Sequence, residues 1–257
     1  MGRRHRLRVP TCSLLQKLAL LTFANRLTVH GMNQAHSLGD SLKQEPVTHV
    51  LSSDLKRAHR TAEAVATHHE HVTLVTSELF RERDFGDLEG KPWRLQWTAK
   101  EAHTMDSQEL KDAHKVIDNT IEQEKGESTD AMKARALAAW DYILAHVNDH
   151  QPSHREFTNG TVDIEERRGN AYVVVVSHGL FLAALFSVIC DYYGAARPQV
   201  FWGNTSYCKF TVHPERDPVF QIHSLNETGH LKSVQRQKGG IGSSTFDQKQ
   251  KSIKEFF

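Results

Sequence analysis

The sequence predicts an α/β fold, a three-layer α/β/α sandwich around a mostly parallel central sheet. Three observations predict it. Short β-branched runs alternate with amphipathic helical stretches. One run, Tyr172 to Val176, is continuously apolar, as a central strand covered on both faces should be. Polar clusters, Ser52-Ser53-Asp54 and Ser177-His178-Gly179, follow directly after such runs, where sheets of this class bind ligands.

The elements follow in order. Gly31 to Gln44 has helical spacing, with Met32, Ala35, Leu38 and Leu42 on one face. Val47 to Leu51 reads as a buried strand, and Ser52-Ser53-Asp54 offers N-cap chemistry for a helix from Leu55 to about His68. Val72 to Val75 is a second strand, followed by a charged loop over residues 77–92. Residues 93–126 are polar and are expected as helical pieces inserted over the core. Ser128 or Thr129 opens a helix to about Asn148, its apolar face being Met132, Ala136, Trp140, Ile143 and Val147. After the strand at 172–176 comes an apolar helix from Leu180 to Tyr193. Tyr207 to Val212 and Val219 to Leu225 are two further strands.

The chain has 257 residues, 39% hydrophobic and 25% charged, which suits one sizeable domain. Its net charge of +1 hides a segregation. Residues 1–39 carry six Lys or Arg and no acid, whereas residues 40–229 carry 20 basic and 29 acidic side chains. An acidic body argues against a nucleic-acid binder. No apolar run is long enough to predict a membrane-spanning helix. Cys12, Cys190 and Cys208 do not suggest a disulfide framework, and they fit a reducing, cytoplasmic setting.

The basic stretch before Leu27, with Arg3, Arg4, Arg6 and Arg8 ahead of the apolar run Cys12 to Ala24, leaves alternatives open. It reads as an ordinary basic helix, a mitochondrial presequence or, with Lys17 interrupting its apolar centre, a secretory signal. The Lys-, Gln- and Gly-rich end of the chain is expected to be disordered. The count of 17 histidines raises a metal-binding reading, centred on His68-His69-Glu70-His71. A solvated helix end explains that cluster more simply.

Three patterns at strand ends carry chemistry. Arg57, on the first turn of a helix, can clamp an anion beside free backbone N–H groups. Glu82, in Phe80-Arg81-Glu82-Arg83-Asp84-Phe85-Gly86, is a carboxyl that can serve as proton donor. His178 stands between a buried strand and a helix N-terminus, a position from which it can meet an anion.

Together these patterns resemble the histidine phosphatase superfamily, which includes the phosphoglycerate mutases, from about Arg26 to Glu227. The resemblance rests on Leu27-Thr28…Gly31…Gln34-Ala35…Leu38-Gly39, on Ser52 to Ala62, and on Glu82 to Gly90. It rests further on Gly126-Glu127-Ser128 followed by Arg135, on Ser177-His178-Gly179 and on Asn204-Thr205-Ser206. It implies a phosphoglycerate mutase-like domain over 27–229, between a divergent basic segment (1–26) and a polar tail (230–257).

The resemblance also implies phosphomonoester hydrolysis through phosphohistidine. Arg57 would clamp phosphate, Glu82 would be the acid/base and His178 the second pocket histidine, with Arg57, Arg83, Gly179 and Asn204 binding substrate. Neither cofactor nor metal is implied, and the partner is a small phosphorylated metabolite, such as fructose-2,6-bisphosphate. The family's nucleophile lies in an Arg-His-Gly motif closing its first strand, and no such motif precedes Leu27 here. Arg4-His5-Arg6 is the partial match, making His5 the candidate, 52 positions before Arg57. Too few residues precede it for a buried strand. His30-Gly31 belongs to the helix-opening motif and stands too close to Arg57. The alternatives are a phospho-ligand-binding module without its nucleophile and a mutase.

Overall fold

The computed structural model describes residues 15–22, 28–89, 106–149, 171–198, 200, 202–213 and 217–234. Six strands form one sheet: β1 (Leu15–Thr22), β2 (His49–Ser53), β3 (Thr73–Ser77), β4 (Ala171–Ser177), β5 (Tyr207–Val212) and β6 (Phe220–Glu227). Their order is β3-β2-β4-β1-β5-β6. The first four are mutually parallel, and β5 and β6 add an antiparallel edge. The helices are α1 (Val29–Leu42), α2 (Lys56–Ala66), α3 (Ser107–Gln123), α4 (Thr129–Asp149) and α5 (Gly179–Tyr192).

Period-two alternation along β4 makes the three layers. Tyr172, Val174 and Val176 pack with Leu38 and Leu42 of α1 and Ala58, Ala62 and Val65 of α2. Val173 and Val175 pack on the opposite side with Ala136, Trp140 and Ile143 of α4 and Phe181, Leu185 and Ile189 of α5. Val50 and Leu51 of β2 divide between the same two clusters. Every β4 side chain is buried, so the strand reads as an unbroken apolar run in the sequence.

The main correction concerns the stretch before Leu27. Leu15–Thr22 is not a helix but the fourth strand of the sheet, paired parallel to β4 from Leu15↔Ala171 to Thr22↔Ser177 and antiparallel to β5. A short apolar run does not distinguish helix from strand, and the sheet supplies partners on both sides that local pattern cannot reveal. Residues 15–22 therefore contribute an interior strand, between β4 and β5.

Two smaller differences stand beside it. The N-cap of α2 is Leu55, with no side-chain cap, because Ser53 Oγ accepts the Leu55 N–H at 3.2 Å and Asp54 pairs with Arg81 instead. The turn Gly229–Ser233 runs from the expected domain into the expected tail, and the Ser37 hydroxyl of α1 donates to the His230 carbonyl at 2.6 Å. The remainder of that tail, the inserted residues 90–105 and His5 lie outside the described residues. Among the described residues, no helix is long and apolar enough to cross a membrane.

Candidate active site

All the parallel strands point their carboxyl ends to one edge of the sheet, where Ser53, Ser77 and Ser177 close β2, β3 and β4. Backbone groups stop pairing there, so side chains and helix N-termini take over. His178 follows β4 as the N-cap residue of α5 and is 1% exposed. Arg57, in the first turn of α2, donates its Nε–H to His178 Nδ1 at 3.1 Å. With Nδ1 accepting, the imidazole proton sits on Nε2, which donates to Ser53 Oγ at 3.0 Å. Burial, with Arg57 and Arg135 nearby, pushes the His178 imidazole down to about 3. It is a neutral N–H donor at physiological pH. The two terminal nitrogens of Arg57 are left to fork onto an anion.

Glu82 meets the same helix from the other side. Its Oε1 accepts the Phe181 N–H at 3.0 Å and the Arg83 N–H at 2.9 Å, and its Oε2 accepts the Leu180 N–H at 3.3 Å. A carboxylate thus caps the positive end of α5 one turn from His178. The Ser177 hydroxyl donates to the Phe80 carbonyl at 2.6 Å, stitching the Glu82 loop to β4.

The structure brings Arg57, His178 and Glu82 together around the start of α5. Gly179 opens that helix, with only Trp202 Cβ near the place a Cβ would take, at 4.0 Å. Asn204 lies exposed on the turn two residues beyond Trp202, and its carbonyl accepts the Thr205 hydroxyl at 2.8 Å. Arg83 points elsewhere. It is 8% exposed, donates Nε–H to the Glu127 carbonyl at 2.8 Å, and pairs with Asp118 of α3. Its guanidinium ties the inserted helix to the loop.

Three further groups at the site are not among the candidate site residues read from the sequence, where Ser53 and Asp54 are expected only to cap a helix. Ser53 Oγ accepts from His178 Nε2 at 3.0 Å. Asp54 accepts from Arg81 Nε at 2.8 Å and from Nη2 at 2.5 Å, and that guanidinium holds its carboxyl below the usual carboxylate range. Arg135 reaches the Glu82 loop from α4, accepted by the carbonyls of Leu79 and Arg81 at 2.9 and 2.8 Å. Its place in the Gly126-Glu127-Ser128 pattern was the only signal. Among the described residues no group of three or more His, Cys, Asp or Glu side chains converges to hold a metal. His68 Nε2 lies 3.6 Å from Asp40, at the α1–α2 contact.

Comparison with known proteins agrees with this geometry. The family model for the histidine phosphatase superfamily (branch 1) matches residues 24–228. A Schizosaccharomyces pombe protein named as a probable phosphatase is 32% identical over 234 residues, covering 90% of this chain and 71% of that one. A Proteus mirabilis protein named as a probable phosphoglycerate mutase is 28% identical, covering 81% and 84%. Among solved structures, phosphoglycerate mutase from Bacillus anthracis superposes with a TM-score of 0.61 at 18% identity, over 86% of this chain and 97% of that one. A mycobacterial glucosyl-3-phosphoglycerate phosphatase gives 0.55 at 21%, over 82% and 98%. At these identities the structural likeness speaks for the fold.

Proposed function

The chain belongs to the histidine phosphatase superfamily, and from that footing we propose that it binds the phosphoryl group of a small phosphomonoester between Arg57, His178 and the start of α5. One observation carries the reading: a guanidinium and a buried, neutral imidazole are hydrogen-bonded at the carboxyl ends of adjacent parallel strands. Arg57 supplies charge and a planar fork, and His178, whose Nδ1 accepts the Arg57 Nε–H, holds that guanidinium in place. Glu82 stands where it can serve the ester oxygen. A sugar bisphosphate such as fructose-2,6-bisphosphate is within the proposed ligand class.

The family's hydrolytic route needs a histidine directly after the first strand. Thr22, the last residue of β1, pairs with Ser177, and Phe23 follows Thr22 in the sequence as His178 follows Ser177. Residues 23–28, Phe-Ala-Asn-Arg-Leu-Thr, contain no histidine. Loss of a covalent nucleophile lowers rate by several orders of magnitude, about 10⁴ to 10⁶ in well-studied hydrolases. The proposed activity of this chain is therefore binding with slow turnover. A second reading, hydrolysis through phosphohistidine, is favoured by the retention of Glu82, Arg57 and His178 around the start of α5.

Titration calorimetry with inorganic phosphate and p-nitrophenyl phosphate tests the first reading. Binding that weakens at least about tenfold in Arg57→Met supports it; absence of binding, or binding indifferent to that change, overturns it. Release of p-nitrophenol by the parent that vanishes in both Glu82→Gln and His5→Ala would establish the second.

A further inference from the structure

We infer that Arg135 is a positioning residue for Glu82, setting where its carboxyl stands relative to the bound phosphomonoester; the inference rests on the pocket reading above. Glu82 lies within the loop segment that follows β3 and has no sheet partner. Ser177 anchors that segment at the Phe80 carbonyl, and one guanidinium holds the carbonyls around Glu82 itself. Arg135 Nη1 donates to the carbonyls of Leu79 and Arg81 at 2.9 and 2.8 Å, and Nη2 reaches the Glu82 carbonyl at 3.4 Å. These bonds fix the backbone on both sides of Glu82's Cα.

The same guanidinium also fixes the group that receives the side chain. Arg135 Cζ lies 4.5 Å from the centroid of the Phe181 ring, within cation–π range. The Phe181 N–H is the donor to Glu82 Oε1 at 3.0 Å. Donor and acceptor are therefore both held by one cation, the loop carbonyls at its N–H groups and the Phe181 ring within cation–π range. Lysine could not do this, because an ammonium neither forks across several carbonyls nor stacks.

Glu127 orients the guanidinium in turn. Its carboxylate accepts from Arg135 Nε at 2.8 Å and Nη2 at 2.6 Å, and the pair is largely buried, with side chains 20% and 14% exposed. Glu127 is itself pinned by its N–H to the Asp84 carbonyl at 2.8 Å, at the far end of the same loop. Gly126 permits that approach, since a Cβ there would lie 2.9 Å from the Asp84 carbonyl oxygen. The Gly126-Glu127 pattern and Arg135 thus form one device, clamping the Glu82 loop at both ends.

Amide hydrogen exchange on the full chain tests this without any ligand. Phe181 sits in the first turn of α5, where amides lack helical acceptors, so its protection reports the Glu82 contact. In Arg135→Met its exchange should accelerate at least about tenfold, while Leu185 and Ile189 in the same helix keep their protection. Glu82→Gln gives the reference perturbation, and Arg135→Lys should behave as Arg135→Met. A second readout is coupling: the effect of Glu82→Gln on p-nitrophenyl phosphate affinity should disappear in the Arg135→Lys background. Unchanged Phe181 protection, loss of protection along all of α5, or additive effects on affinity would each overturn the inference. A parent that binds no phosphate would sink the pocket reading alone, since the exchange result stands by itself.

Discussion

Arg57 and His178 are joined by a 3.1 Å hydrogen bond that ties the first turn of α2 to the junction between β4 and α5. The bond forces one tautomer and, with burial, keeps the imidazole neutral, pushed down to about 3 from 6.5. The sign of the resulting pH dependence follows. Between those two values the unfolded chain holds a proton that the folded chain refuses. Stability from His178 is thus complete above about pH 6.5 and is lost as pH falls toward 3, at on the order of 1 kcal/mol per pH unit. Urea unfolding from pH 4 to 7.5 should show a shallower slope for His178→Asn than for the parent. Equal slopes would mean that the imidazole is not held neutral.

Thr22 and Ser177 are partners across β1 and β4, and Phe23 follows the one in sequence as His178 follows the other. If the pocket is otherwise that of a working phosphatase, it lacks one group. Replacing Thr22-Phe23-Ala24 by Arg-His-Gly should raise hydrolysis of p-nitrophenyl phosphate by at least about a hundredfold. It should also give an acid-labile phosphorylated protein, and both gains should be abolished by Arg57→Met. No gain in rate with the phosphate affinity intact would show that more than the nucleophile separates this chain from hydrolysis.

The contrast between β4 and β1 shows what sequence pattern can carry. Tyr172 to Val176 announces a central strand because every residue is apolar and the next three are Ser-His-Gly. The apolar face of α4 is equally plain, since Met132, Ala136, Trp140, Ile143 and Val147 all prove buried. Leu15–Thr22 carries Gln16 and Lys17 and follows four arginines, so its composition points toward a leader or a surface helix. Only its long-range pairing makes it a strand. The same limit explains the site. Arg57, Glu82 and His178 are legible because each follows a readable strand. The partner of Arg83 lies on α3, and Arg135 reaches from α4 to the loop carbonyls of Leu79 and Arg81, more than fifty residues earlier, so no local spacing predicts either contact.

Arg83 provides a test of that last point. Its guanidinium is buried against Asp118, whose carboxyl is pushed up by burial yet held below the usual range overall by the Thr129 hydroxyl and Arg83. Removing one partner strands the other. Arg83→Leu should destabilise the fold by ~3 kcal/mol in urea unfolding while leaving the affinity for inorganic phosphate unchanged. A weakened affinity in a variant of normal stability would place Arg83 in the ligand pocket instead.

Gly39 shows how the helix layer supports the same pocket. It lies on the buried face of α1, and a Cβ there would stand 2.3 Å from the carbonyl oxygen of Ala64 in α2. That oxygen is backbone and cannot rotate away, so the two helices must separate. In an open helix, Gly→Ala is favourable by about 1 kcal/mol. Here overpacking should reverse the sign and cost ~1–3 kcal/mol. Because α2 carries Arg57 on its first turn, the displacement should reach the pocket and weaken phosphate binding as well. Gly194→Ala serves as control: its φ of +65° brings strain, but no atom lies within 4 Å. That variant should lose about 1 kcal/mol and no affinity. Thermal unfolding and phosphate titration of both variants decide the matter, and a Gly39→Ala protein as stable as the parent would refute the close α1–α2 contact.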